Sequence, residues 1–123
     1  MAATVRLTVL TGPHQGNRYC FRKTADTIVG RASDCDVCVC GEARDLAISR
    51  RHCSLKFEPP NLIVNDIGSL NGTFINGHSC EPPLMARDGD ILSIGGTSMQ
   101  ISVVDCVDWN EDKDIMVNCQ VEC

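Results

Sequence analysis

Apolar residues recur with a period of two along most of this chain. Val5, Leu7 and Val9 alternate with Arg6 and Thr8, and Tyr19 and Phe21 alternate with Arg18, Cys20 and Arg22. The alternation returns at Cys53, Leu55 and Phe57, and again at Met99, Ile101 and Val103. Successive side chains of a β-strand point to opposite faces, so each run predicts a strand with one face on a core. Thr27 to Gly30 predicts a further short strand. No window of ten or more residues carries helical spacing.

Turn-forming residues separate these runs at short intervals. They cluster at Thr11-Gly12-Pro13 to Gly16-Asn17, Glu58-Pro59-Pro60-Asn61, Asn76-Gly77, Asp88-Gly89-Asp90 and Gly95-Gly96. Asn-Gly between two apolar-bearing runs is the strongest short-range hairpin signal, because both residues accept the positive φ of a type I′ turn. Many short strands with frequent turns predict an all-β fold, an antiparallel β-sandwich of two twisted sheets. Two connections, about Gly41 to Arg51 and Ile67 to Gly72, are too long for simple turns. Long loops on a rigid sheet scaffold are where binding residues gather.

The 123-residue length fits one domain, and a hydrophobic share of 43% supports a packed core. Charge divides the chain more sharply than composition does. Residues 1–104 hold ten Lys and Arg against ten Asp and Glu, whereas residues 105–123 hold Lys113 against six acids, so the segment from Asp105 onward supplies 1 − 6 = −5, the entire net charge. This predicts a binding domain over 1–104 followed by an acidic linker or tail, in which Ile115 to Val117 is a candidate edge strand. A near-neutral body lacks the basic surface that nucleic acid requires. The first ten residues alternate around Arg6 rather than forming an apolar export segment. No run approaches the roughly 20 apolar residues of a membrane helix. The expectation is a cytoplasmic protein with no membrane contact.

Nine cysteines, an odd number, are expected to be thiols in a reducing compartment, where cysteine behaves as a small hydrophobe. The sharper alternative is a metal site at Cys35-x-x-Cys38-x-Cys40. Zinc sites generally pair two such knuckles, and the second is missing here unless His52 or Cys53 folds in.

Three short motifs stand out against the strand pattern: Gly30-Arg31 at a strand end, Ser49-Arg50-Arg51-His52 closing the first long loop, and Ser69-Leu70-Asn71-Gly72-Thr73 leading into the Asn76-Gly77 hairpin. Their order and spacing resemble the forkhead-associated (FHA) domain family, phosphothreonine readers built as β-sandwiches. Asp88-Gly89-Asp90-Ile91 followed by Ile94-Gly95 resembles that family's late strand entry, and the resemblance covers roughly Val5 to Val104. The chemistry suits the residue types. A phosphothreonine carries about −1.5 to −2 charges and three acceptor oxygens at neutral pH. Arginine answers with a fixed charge and a planar fork of donors.

The resemblance implies that Arg31 and Ser49 contact the phosphate, that Arg50 adds a nearby donor or charge, and that Asn71 bonds the backbone of an extended peptide. It assigns Gly30 to the strand exit, His52 to bracing the loops, and Gly72 and Thr73 to shaping the second loop. Leu70 stands where some members carry a ligand-touching hydroxyl, so that contact is missing or is made by backbone. The implied partner is a threonine-phosphorylated protein in Ser/Thr kinase signalling, with no cofactor. The alternatives are a sandwich that binds its partner independently of phosphate, and the cysteine-based metal module.

A catalytic reading centres on His52-Cys53. Neighbours along a strand point to opposite faces, which separates the two side chains. Cys53 also continues the apolar face of Leu55 and Phe57. No nucleophile elbow, phosphate-cradling Gly-rich loop or carboxylate pair appears. The sequence therefore reads as a binding module, not an enzyme.

Overall fold

The computed structural model describes residues 2–12, 14–22, 25–39, 46–106 and 115–117. Strands follow one another as β1 (Ala2–Val9), β2 (Arg18–Phe21), β3 (Thr27–Gly30), β4 (Val37–Cys38), β5 (Cys53–Glu58), β6 (Asn61–Asp66), β7 (Thr73–Ile75), β8 (His78–Ser79), β9 (Leu84–Ala86), β10 (Ile91–Ile94), β11 (Thr97–Cys106) and β12 (Ile115–Val117). They form two sheets, ordered β12-β2-β1-β11-β10-β7-β8 and β4-β3-β5-β6-β9. No helix among the described residues is long and apolar enough to cross a membrane.

The period-two residues become the core. Val5, Leu7, Tyr19, Phe21, Leu92, Ile94, Met99 and Ile101 of the larger sheet are buried together with Val29, Leu55, Phe57, Leu62 and Val64 of the smaller one. Each fully buried side chain of this size contributes about 1.5–3 kcal/mol relative to exposure. The register follows from the alternation. Leu7 lies opposite both Tyr19 and Ile101, so three inward residues share one row. A one-residue slip would turn such a row to solvent.

The sandwich departs from a purely antiparallel plan at β3 and β4, which pair in parallel with Val29 opposite Val37. The intervening residues 31–36 form a compact turn that reverses the chain twice. Asn76 lies at φ 50 and Gly77 at φ 84, the geometry expected of the Asn-Gly hairpin, which joins β7 to β8. The candidate edge strand at Ile115 to Val117 is present as β12, paired antiparallel with β2. β11 continues to Cys106, two residues past the position where the charge pattern changes.

The cysteines do not form one class. Cys35, Cys53 and Cys80 are free and buried, but Cys20 and Cys38 are disulfide-bonded. The expectation of thiols throughout therefore fails at these two positions. Of the suggested metal ligands, Cys35 donates a hydrogen bond to a backbone carbonyl, Cys38 is in a disulfide and Cys40 lies outside the described residues. Among the described residues no three His, Cys, Asp or Glu side chains cluster as a metal site.

Candidate phosphopeptide-binding site

Three connections meet at one end of the sandwich: the β3–β4 turn at 31–36, the stretch 46–52 before β5, and the β6–β7 loop at 67–72. A dense set of hydrogen bonds fixes their mutual position. The Arg31 N–H donates to the Ser49 carbonyl at 3.1 Å, and the Ala32 N–H donates to that of Arg50 at 3.0 Å. Gly30 permits this approach. A Cβ there would lie 2.1 Å from the Arg50 carbonyl oxygen, so any larger residue would push the two segments apart. On the far side, a Cβ on Gly95 of the β10–β11 turn would lie 2.8 Å from the carbonyl carbon of Ala47. The 46–50 stretch is thus held between two backbone surfaces.

His52 joins the second and third connections. It is fully buried. Its Nδ1 accepts from the Ser49 N–H at 3.0 Å, and its Nε2 faces the Gly72 carbonyl at 2.7 Å. A carbonyl can only accept, and the Ser49 N–H can only donate. The imidazole is therefore neutral with its proton on Nε2. His52→Ala would strand both backbone groups in the interior and leave a cavity. The expected loss is about 3 kcal/mol of stability, read as a lower urea midpoint at unchanged m-value.

Asp66 organises the third connection, a role the sequence reading did not assign. Its Oδ1 accepts from the Gly68 and Ser69 N–H groups at 2.9 and 3.0 Å. Its Oδ2 accepts from the Thr73 hydroxyl at 2.7 Å and from the Ser69 hydroxyl. The Ser69 oxygen in turn accepts from the Gly72 N–H at 2.9 Å. Gly72 itself sits at φ +88, where an L-residue is strained. Burial alone would raise the Asp66 pKa, but the Ser69 and Thr73 hydroxyls and the two N–H donors outweigh it and hold the carboxyl below its ordinary value. The signal was available: Asp66-Ile67-Gly68-Ser69 has an Asx-turn composition.

On this scaffold Arg31, Ser49 and Asn71 keep hydrogen-bonding capacity that nothing among the described residues uses. Arg31 is half-buried and donates Nε to the Ile48 carbonyl at 3.0 Å, which aims the fork and leaves both terminal nitrogens without a partner among the described residues. The Ser49 oxygen accepts from the Leu70 N–H at 3.0 Å, so the hydroxyl proton is left to donate elsewhere. Asn71 donates Nδ2 to the Ala47 carbonyl at 2.9 Å, leaving its amide oxygen as an exposed acceptor. Leu70 takes part through its backbone, and its side chain is 87% exposed.

The two adjacent arginines divide their roles. Arg51 pairs with Asp34 at 2.5 Å, whereas neither Arg31 nor Arg50 has a carboxylate partner among the described residues. Guanidinium groups without a carboxylate among the described residues, and a hydroxyl proton left to donate, are groups that suit an anion with several oxygens.

The same geometry disposes of the histidine–cysteine alternative. Both ring nitrogens of His52 are committed to backbone, and Cys53 is fully buried with its thiol pKa pushed far up by that burial. Cys80, close by in the core, is likewise pushed up to about 11 by burial. Neither sulfur has the exposed, cation-rich setting of a nucleophile.

Residues 27–95, which carry all three motifs, match the FHA domain family. The chain belongs to that family. It is 36% identical over 89 residues to the glycogen accumulation regulator GarA of Mycobacterium tuberculosis, covering 72% of this chain and 51% of that protein. The oxoglutarate dehydrogenase inhibitor of Corynebacterium glutamicum is 32% identical over 94 residues, 76% of this chain and 62% of that protein. The chain thus spans about half the length of its GarA relative. Among solved structures, the FHA domain of an Arabidopsis thaliana hypothetical protein superimposes with a TM-score of 0.75 at 25% identity, over 89% of this chain and 92% of that one. A further FHA structure, from an analysis of phosphothreonine-dependent FHA interactions, gives a TM-score of 0.68 at 24% identity and supports the fold alone, covering 80% of this chain and 95% of that one. The FHA domain therefore accounts for the sandwich, for the loop end that carries the motifs and for the order in which they occur.

Proposed function

We propose that this FHA domain captures phosphothreonine in a partner protein, acting as an interaction module of Ser/Thr kinase signalling rather than as an enzyme. The observation that carries the reading is the backbone pairing that sets Arg31 and Ala32 against Ser49 and Arg50, with neither Arg31 nor Arg50 paired to a carboxylate among the described residues. The terminal nitrogens of Arg31 and the Ser49 hydroxyl would take phosphate oxygens, Arg50 would add charge and a further donor, and the Asn71 amide oxygen would accept an N–H of the extended peptide. The family match spans residues 27–95 and so includes all of these residues, which supports the assignment. The same reading divides the chain into a phosphopeptide-binding domain over 1–104 and an acidic appendage beyond it, in a protein of the cytoplasm.

Fluorescence anisotropy with labelled degenerate peptide pools tests the proposal. The phosphothreonine pool should bind, and the unphosphorylated pool should not. Equal binding of both pools would instead favour a phosphate-independent interaction surface.

Acid should weaken capture. The second phosphate pKa lies near 6, so lowering the pH from 7.5 to 5.5 removes much of one ligand charge, and the apparent affinity should fall several-fold. The Asp66 network is not the source of that loss. Its folded pKa is depressed, so its contribution is fully present above the ordinary carboxylate value near 4 and fades only as pH falls through the lowered one.

A further inference from the structure

Beside the recognition residues lies a thiol to which neither the motifs nor the family match gives a role. We propose that Cys35 is a positioning residue for phosphopeptide capture: its S–H holds the Arg50 carbonyl, and through it the Ser49-Arg50 segment, against Arg31. The inference rests on the phosphothreonine reading above and adds a residue to it.

Cys35 is a free thiol, 8% exposed, with Sγ 3.0 Å from the Arg50 carbonyl oxygen. That oxygen sits in a slot. Gly30 forms its floor, where even a methyl group would overlap it, and the Ala32 N–H supplies the other donor at 3.0 Å. Cys35 reaches the slot because its own N–H donates to the Ala32 carbonyl at 3.1 Å, closing the β3–β4 turn. One end of the turn carries Arg31, and the middle carries the thiol that grips the loop bearing the other two phosphate-facing residues. Asp34, in the same turn, pairs with Arg51 at 2.5 Å on the outer side. The turn therefore grips the Arg50-Arg51 pair at two points and leaves the Arg50 side chain free. Burial is the largest influence on the Cys35 pKa and raises it, which keeps the sulfur protonated as a donor at neutral pH.

The role requires a small side-chain donor, not sulfur as such. Serine keeps the shape and the donor, whereas alanine leaves the Arg50 carbonyl with the Ala32 N–H alone. The test measures binding of a fluorescein-labelled phosphothreonine peptide pool to the full chain, at a temperature where every variant is folded by circular dichroism. Cys35→Ala should weaken binding about tenfold, and Cys35→Ser should stay within about twofold of the wild type. In an Arg50→Ala background the Cys35→Ala effect should shrink, because the side chain that the thiol positions is already gone. A purely structural thiol would lower the melting temperature and leave binding by the folded protein unchanged.

Unchanged binding by Cys35→Ala overturns the inference, as does a Cys35→Ser variant as weak as Cys35→Ala. So does a Cys35→Ala chain that fails to fold, which would make the thiol part of the core. A wild-type chain that ignores the phosphothreonine pool overturns the phosphothreonine reading itself, and this inference with it.

Discussion

Arg31→Ala is expected to lose phosphothreonine capture, with affinity falling at least about 100-fold, or roughly 3 kcal/mol. The estimate follows from what this side chain does alone. It is half-buried, aimed by the bond from Nε to the Ile48 carbonyl, and it presents both terminal nitrogens without a competing carboxylate among the described residues. Hydrogen bonds to charged groups contribute about 1.5–3 kcal/mol each, and a forked pair to one phosphate lies at the upper end. Arg31→Lys should recover only a small part of the loss. A lysine ammonium cannot bond the Ile48 carbonyl and also present a planar fork. The fold should survive both changes, because Arg31 lies outside the apolar core and its backbone N–H still bonds the Ser49 carbonyl. Calorimetric titration with a phosphothreonine peptide, alongside a thermal melt, separates the two effects.

Gly30→Ala should instead damage stability and binding together. The added methyl would stand 2.1 Å from the Arg50 carbonyl oxygen, 2.8 Å from its carbon and 3.0 Å from the Arg51 Cα. All three are backbone atoms, so no side-chain rotation relieves the overlap. Either β3 or the 49–51 segment must move, at a cost of about 3 kcal/mol. Movement breaks the bonds of Arg31 and Ala32 to the Ser49 and Arg50 carbonyls, which hold Arg31, Ser49 and Arg50 in place. The expected result is a lower denaturation midpoint and weak capture even by the folded fraction. A variant that keeps wild-type affinity would show that this close approach does not set the site.

Much of the fold was legible because the hydrophobic period is two wherever a strand faces the core. Val5, Leu7 and Val9, or Cys53, Leu55 and Phe57, declare both the strand and its inward face. The Asn76-Gly77 turn was legible for a different reason: few residue pairs accept its backbone angles. Short pairings were not. β4, β8 and β9 span only two or three residues, too few for periodicity to register, and the parallel β3–β4 pair depends on a tertiary turn.

At the site, the motifs named residues that the structure brings to one end of the sandwich but not how the loops are held. His52 stood out as a brace. Its partners are backbone groups, the nearby Ser49 N–H and the Gly72 carbonyl, distant in sequence, which the motifs do not record. Asp34 carried no signal because its partner is an arginine distant in sequence, and Asp66 serves only the N–H and hydroxyl groups of its own loop; Cys35 stood out only as a candidate metal ligand, whereas its partner is the Arg50 carbonyl. Leu70 was singled out for its missing hydroxyl, and the structure shows its backbone N–H bonded to Ser49.

The central claim is that phosphothreonine sits where the 31–36 turn and the 46–50 and 67–72 connections meet. Backbone and arginine side-chain NMR shifts, followed while a phosphothreonine peptide is titrated into the full chain, test it most directly. The largest changes should fall on Arg31, Ser49, Arg50, Leu70 and Asn71, with the phosphorus signal of the peptide shifting in step. Changes concentrated on another face of the sandwich, or equal changes with the unphosphorylated peptide, would contradict the account.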